Sequence, residues 1–206
     1  IYVNGKLNVV FSNSLFKGNE SIYEGGAIYT RLTIDQTNFN NQLELINCTL
    51  DSNFAKSGGA IYSTSLDTIK SKVNNCYFTN NEATINGGGI YYVGPGAYSN
   101  GTKLIVENSQ FENNKAGSGG GIYTYMNLEV QNCNFLYNEA ITGNGGAINK
   151  QTGSSMTLPT SNLLIENSNF NNNQSFLNGG SICVFNDVFV SNRHCLAFGR
   201  GSRSGI

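Results

Sequence analysis

A sixteen-residue pattern recurs from one end of this chain to the other, and its period limits what the chain can fold into. Its clearest copy runs from Asn108 to Tyr123, N-S-Q-F-E-N-N-K-A-G-S-G-G-G-I-Y. Other copies start at Asn13, Asn47, Asn75, Asn132 and Asn167, and a degraded one at Asn192. Each begins with Asn, then Ser or Cys (Arg in the last), and places a large apolar residue two positions on, usually Phe. A second Asn follows three residues later, and then a double glycine and Ile. Self-similarity at this period marks a repeat architecture, in which each unit buries its apolar face against its neighbours.

One part of the unit is fixed in length and one corner is not. From leading Asn to Ile, Asn47 to Ile61 and Asn108 to Ile122 both span 14 residues. From Ile to the next Asn, the distance runs from 10 (Ile122 to Asn132) to 19 (Ile28 to Asn47). The insertions follow Tyr29, Tyr62, Tyr91 and Asn149, and both prolines, Pro95 and Pro159, lie in them. Ladder strands exclude Pro because it lacks the donor N–H. The insertions therefore leave from one corner and form one ridge, which in repeat proteins is often the binding face.

Short alternating stretches read as strands: Leu7-Val9-Phe11, Leu43-Leu45, Leu104-Val106, Leu128-Val130, Leu163-Ile165 and Val188-Val190. A second strand is carried by the Phe position and a third by Ile-Tyr. Asn and Gly corners between them supply left-handed backbone. Three short strands in about 24 residues predict one turn of a parallel β-helix. The fold class is all-β, a single solenoid over 1–206 of about seven coils, roughly 34 Å long at about 4.8 Å per coil.

In that reading, like residues stack from coil to coil. The leading asparagines Asn13, Asn47, Asn75, Asn108, Asn132 and Asn167 form a structural ladder bonded to the corner backbone of the next coil. Phe and Ile ladders fill the interior, and Tyr29, Tyr62, Tyr91 and Tyr123 form a further column. Cys48, Cys76 and Cys133 take the slot that is Ser in other copies, either as small buried residues or with a Cys48–Cys76 disulfide between adjacent units. No C-x-x-C pair suggests zinc or redox chemistry.

The alternation of G-G-A-I (Gly25 to Ile28, Gly58 to Ile61, Gly145 to Ile148) with F-x-x-N (such as Phe16 to Asn19 and Phe111 to Asn114) resembles the chlamydial polymorphic membrane protein repeat. The resemblance implies a right-handed single-stranded parallel β-helix, an extracellular or cell-surface location, and adhesive or structural roles. It implies no catalytic residues. The last unit departs from it: Cys195 replaces the Phe, Phe198 the Asn, and Arg203-Ser204 the double glycine.

Charged residues make up only 12% of the chain and the net charge is −1, which argues against nucleic acid or an anionic membrane as partner. No apolar run reaches membrane-spanning length. The acids are scattered: Glu20, Glu82 and Glu139 follow the second Asn without acidic partners, and Glu107 and Glu166 share a repeat position several strands apart. A glycosidase needs two carboxylates close together. His194, the only histidine, sits in the degraded unit beside Arg193 with no acid nearby. The reading is non-enzymatic, with no cofactor and no metal. Sequons at Asn100, Asn19 and Asn173 are the expected N-glycan sites, with Asn100 foremost in its insertion, while Asn47 is expected to be held in its ladder.

Ile1-Tyr2 and Ile206 fall at one register of the repeat. The expectation is therefore an uncapped segment of a longer array or a filament subunit, a rod that stacks end to end with copies of itself or with further repeats. The alternatives are a carbohydrate- or host-binding adhesin using the ridge and tyrosines, or a polysaccharide lyase.

Overall fold

The computed structural model describes residues 1–5, 7–32, 42–65, 70–94, 102–151 and 162–184, and the backbone alone at 189–193 and 196–199. Among them there is no helix: every regular element is a short strand, and every strand pairing is parallel. The chain winds as a parallel β-helix, so each strand hydrogen-bonds its counterpart one turn away.

The fourth turn shows the plan. Lys103–Glu107 lies on a Leu/Val face, Gln110–Glu112 on a Phe face, Lys115–Ala116 on a short face, and Ile122–Thr124 on a Tyr face. The register never slips along the main faces: Phe78 pairs Phe111, Phe111 pairs Phe135, and Phe135 pairs Phe170. A one-residue slip would turn the whole interior outward, so buried alternation pins the register. On the Leu/Val face Leu104, Val106, Leu128, Val130, Leu163 and Ile165 point inward and are buried. They meet Phe78, Phe111, Phe135 and Phe170, and Ile61, Ile90, Ile122 and Ile148, in one continuous core.

Two features differ from the sequence reading. Each turn has four strand segments, because the residues after the second Asn pair as well, as Ala116 does with Ala140. The Leu/Val and Tyr faces each hold seven strands, but the short face holds five, so about five complete turns are flanked by incomplete ones. The missed segment had a signal: a small residue two positions after the second Asn of the unit, buried at Ala55, Ala83, Ala116, Ala140 and Ser175.

The double glycine does two different things. The first, such as Gly87, has φ +65, a conformation that a side chain disfavours. The second, such as Gly88, is not left-handed; a Cβ there would lie 2.5 Å from the carbonyl oxygens of Gly120 and Lys115. Its role is to let consecutive coils approach. The leading Asn turns the corner between the Leu/Val and Phe faces at φ +48 to +54. A second left-handed column, Ser52, Asn80, Asn113, Tyr137 and Asn172, turns the corner between the Phe and short faces.

Candidate functional site

The polar groups of this molecule are concentrated in columns, and the most buried is the second asparagine of each repeat. Asn53, Asn81, Asn114, Asn138 and Asn173 are at most 1% exposed. From Asn53 to Asn138 each amide is fully used. Asn114 Oδ1 accepts from Asn81 N at 3.1 Å and from Asn81 Nδ2 at 2.9 Å. Asn114 Nδ2 then donates forward to Asn138 Oδ1 at 2.9 Å and back to the Phe78 carbonyl at 2.8 Å. Two donors and two lone pairs are all an Asn side chain has. The column therefore ties three consecutive coils together at every step.

The leading asparagines behave otherwise than the sequence reading expected. They are exposed or near-exposed corner residues, and they bond mainly to one another's side chains rather than to backbone. Asn47 donates to Asn13 at 3.1 Å and Asn75 to Asn47 at 2.8 Å, while Asn108 turns aside to Asn74 at 2.9 Å. Asn132 reaches Asn108 at a long 3.4 Å. Asn47, expected to be unavailable as a glycan acceptor, is exposed. Among the three expected acceptors, Asn173 is withdrawn, because its amide is buried with both ends bonded. Asn19 is exposed in the first turn, and Asn100 lies outside the described residues.

The cysteines line the core as a thiol–hydroxyl column. Cys48 N donates to Cys76 Sγ, Cys76 N to Ser109 Oγ, and Cys133 N to Ser168 Oγ. Sulfur and oxygen serve the same purpose there, which explains why Ser and Cys interchange. Cys48 and Cys76 are free thiols, so the bridge between them is not formed. Burial pushes the Cys76 and Cys133 thiols up to about 11, away from reactive thiolate.

On the outside of the Tyr face, Tyr2, Tyr29, Tyr62, Tyr91 and Tyr123 stack with ring centroids 5.0–5.3 Å apart. Burial raises Tyr62 to about 12 and raises Tyr29 and Tyr91 as well, keeping them neutral. A sugar ring packs on an aromatic face, and from Tyr29 to Tyr91 both faces of each ring are covered by neighbouring tyrosines, so that the column packs as a ladder. The insertions that would form the ridge beside it lie, at 33–41, 66–69, 95–101 and 152–161, outside the described residues.

Surface charge also runs from coil to coil. Lys17 meets Asp51 at 2.8 Å, Lys72 meets Glu107 at 2.9 Å, Lys103 meets Glu129 at 2.5 Å, and Lys115 meets Glu139 at 3.6 Å. In each pair the lysine belongs to one turn and the acid to the following turn. Asp51 is held down to about 2 by Lys17 and by Asn80, Ser52 and Thr79. Glu107 and Glu166 lie only two rungs apart on the Leu/Val face, with Gln131 between them. That is closer than the sequence reading placed them, but Glu107 is already paired with Lys72. His194 lies outside the described residues. Among the described residues no three His, Cys, Asp or Glu gather to hold a metal, and no helix is long and apolar enough to cross a membrane.

Four stretches, 13–31, 47–64, 75–92 and 108–125, match the model of the Chlamydia polymorphic membrane protein repeat. No curated protein and no solved structure matches the chain. The matches cover the first four units, and the fifth and sixth, from Asn132 and Asn167, continue the same faces in the same register. The chain is a parallel β-helix, and four of its units match the Chlamydia polymorphic membrane protein repeat.

Proposed function

We propose that this chain is a non-enzymatic extracellular structural protein, a β-helical rod continued end to end by further coils in a surface fibre or stalk. The observation that carries this reading is the buried asparagine column. Its amides are spent on joining coil to coil, which gives a stiff body. The ion pairs point the same way, since the acids they use are tied to the neighbouring turn. The repeat's own family name, a membrane protein of variable sequence, supports a surface location. An N-linked glycan at Asn100 fits the same exterior setting, and no cofactor is called for.

Electron microscopy of the native, unconcentrated material tests this. Rods or fibres many times longer than seven coils, about 34 Å, are the expected result. Particles no longer than seven coils would overturn it.

A further inference from the structure

Among the leading asparagines Asn13, Asn47, Asn75, Asn108, Asn132 and Asn167, only Asn47 has a hydroxyl residue two positions on. Its unit carries Thr49 where the others carry Leu15, Tyr77, Gln110, Asn134 and Asn169. Asn47-Cys48-Thr49 is therefore an N-x-T sequon set into a corner of the solenoid, not into an insertion. It lies in the second turn, with Asn13 and Asn75 of the coils on both sides in hydrogen-bond contact.

The corner sorts these three residues by direction. Asn47 takes the left-handed conformation at φ +54 and is exposed. Cys48 turns into the core and is fully buried. Thr49 faces outward again, half-buried between Leu15 and Tyr77 of the adjacent coils. The Asn47 amide is only partly committed. Its Oδ1 accepts from Asn75 Nδ2 at 2.8 Å, and its Nδ2 gives one hydrogen to Asn13 Oδ1 at 3.1 Å. An Asn Nδ2 carries two hydrogens, and among the described residues no group accepts the second. Asn173-Gln174-Ser175, also a sequon, shows the opposite arrangement. Its amide is fully buried, with Nδ2 on the Phe135 carbonyl and Oδ1 holding two N–H groups of Asn138. A sugar on that nitrogen would have to lie inside the column.

Resting on the extracellular reading above, we propose that Asn47 is an N-glycosylation site, carrying an oligosaccharide on Nδ2 while the remaining N–H keeps the bond to Asn13. The sugar donor is a lipid-linked oligosaccharyl diphosphate. A bond forms from Asn47 Nδ2 to the anomeric carbon, and the bond from that carbon to the diphosphate oxygen breaks. The lipid diphosphate leaves with the electron pair, and the amide proton passes to a base of the transferring enzyme; nothing is oxidised or reduced. The acceptor is modified before the coils close, so the fold has only to leave the sugar an open side, and the exposed corner does so. The glycan, bulky and solubilising, stands between the Leu/Val and Phe faces and keeps a second rod from packing along that corner.

Peptide mapping of the native protein, deglycosylated with a peptide-N-glycosidase in heavy-oxygen water, tests the site. Asn47 should appear as heavy-oxygen aspartate, and Asn173 as unchanged asparagine. Two variants of the full chain, made in the cells that produce it, separate Asn47 from any other acceptor. Thr49→Val removes the hydroxyl without touching the ladder and should lower the intact mass by one glycan, whereas Thr49→Ser should keep that glycan. An Asn47 peptide found only bare, or a glycan mass unchanged in Thr49→Val, would overturn the proposal. Protease treatment of intact cells keeps the two readings apart. A chain cut at the surface yet bare at Asn47 defeats the site alone, and a chain found only inside the cell and bare at Asn47 defeats both.

Discussion

Asn81 gives both its backbone N–H and its side-chain N–H to a single atom, Asn114 Oδ1, at 3.1 and 2.9 Å. The pair sits with no water access, both residues 0% exposed, and the same unit repeats from the second turn to the sixth. Burying an amide is costly unless each of its groups is bonded. Asn114→Leu keeps the volume but strands two donors on Asn81, the Phe78 carbonyl and one lone pair of Asn138. The loss should be at least about 3 kcal/mol, at about 1–3 kcal/mol per stranded group. Urea unfolding should show it. A midpoint within error of wild type would mean that the column is incidental.

The two glycines of a pair should fail by different amounts. Gly88→Ala drives a Cβ to 2.5 Å from two carbonyl oxygens, and only separation of the coils would relieve it. A cost of about 3 kcal/mol is expected, the upper range for overpacking. Gly18→Ala meets nothing within 4 Å and suffers only from its φ of +63, so about 1 kcal/mol is expected. Thermal melts of the two variants should separate clearly, and equal losses would contradict the assignment of close approach to Gly88.

The cysteine column should tolerate oxygen. Ser109 and Ser168 already accept the same backbone N–H from the coil before. The double variant Cys48→Ser, Cys76→Ser should cost about 1 kcal/mol or less. In the native protein Cys48 should resist alkylation at pH 8 because it is buried, and Cys76 and Cys133 because burial also raises their thiols well above that pH. Peptide mapping under non-reducing conditions gives the answer, and a Cys48–Cys76 peptide would reinstate the bridge.

The coil period, the inward strands and the Phe column were legible in the sequence because each is an alternation that only one register can bury. The site was less legible. Both asparagines of a unit look alike as letters, yet one is an exposed left-handed corner (Asn108, φ +50) and the other a buried cross-brace (Asn114). The deciding fact is position relative to a corner that sequence alone does not phase: Asn108 is itself the left-handed residue, whereas Asn114 directly follows the left-handed Asn113. Misplacing that corner also made Asn173 look like a glycan acceptor and hid the short face around Ala116. The two glycines of Gly87-Gly88 were hard to distinguish for a related reason: one answers to its own φ, the other to the backbone of Lys115 and Gly120 in the next coil.

Tyr91 tests whether the aromatic column binds or packs. Its ring lies 5.0 Å from Tyr62 and 5.3 Å from Tyr123. Tyr91→Ala removes two stacked contacts at about 0.5–1.5 kcal/mol each, in addition to the lost burial. Stability should fall by about 1–3 kcal/mol, while any binding measured on a glycan array should be unchanged. Loss of glycan binding in a variant that remains folded would restore the adhesin reading.

Lys150 gives the molecule a pH dependence of predictable sign. It is fully buried on the inner side of the Tyr face, and its Nζ donates to the carbonyls of Tyr125 at 3.1 Å and Gln151 at 2.8 Å. Burial lowers its pKa from 10.5 to about 7. Between those two values the unfolded chain holds a proton that the folded chain has released, so stability must rise with pH. The penalty of folding is full below about 7 and is relieved as pH climbs toward 10.5. The slope can reach about 1.4 kcal/mol per pH unit. The stacked tyrosines act oppositely and later: Tyr62 is raised from 10.0 to about 12, so its contribution is intact below 10 and is lost only above that. Denaturation midpoints should therefore climb from pH 7 to about 9 and turn down beyond it, where Cys76 and Cys133, raised from 9.0 to about 11, and then Tyr62 act against Lys150. Lys150→Met should flatten the rising limb and leave the falling one. A limb that keeps its slope in the variant would assign it to another group.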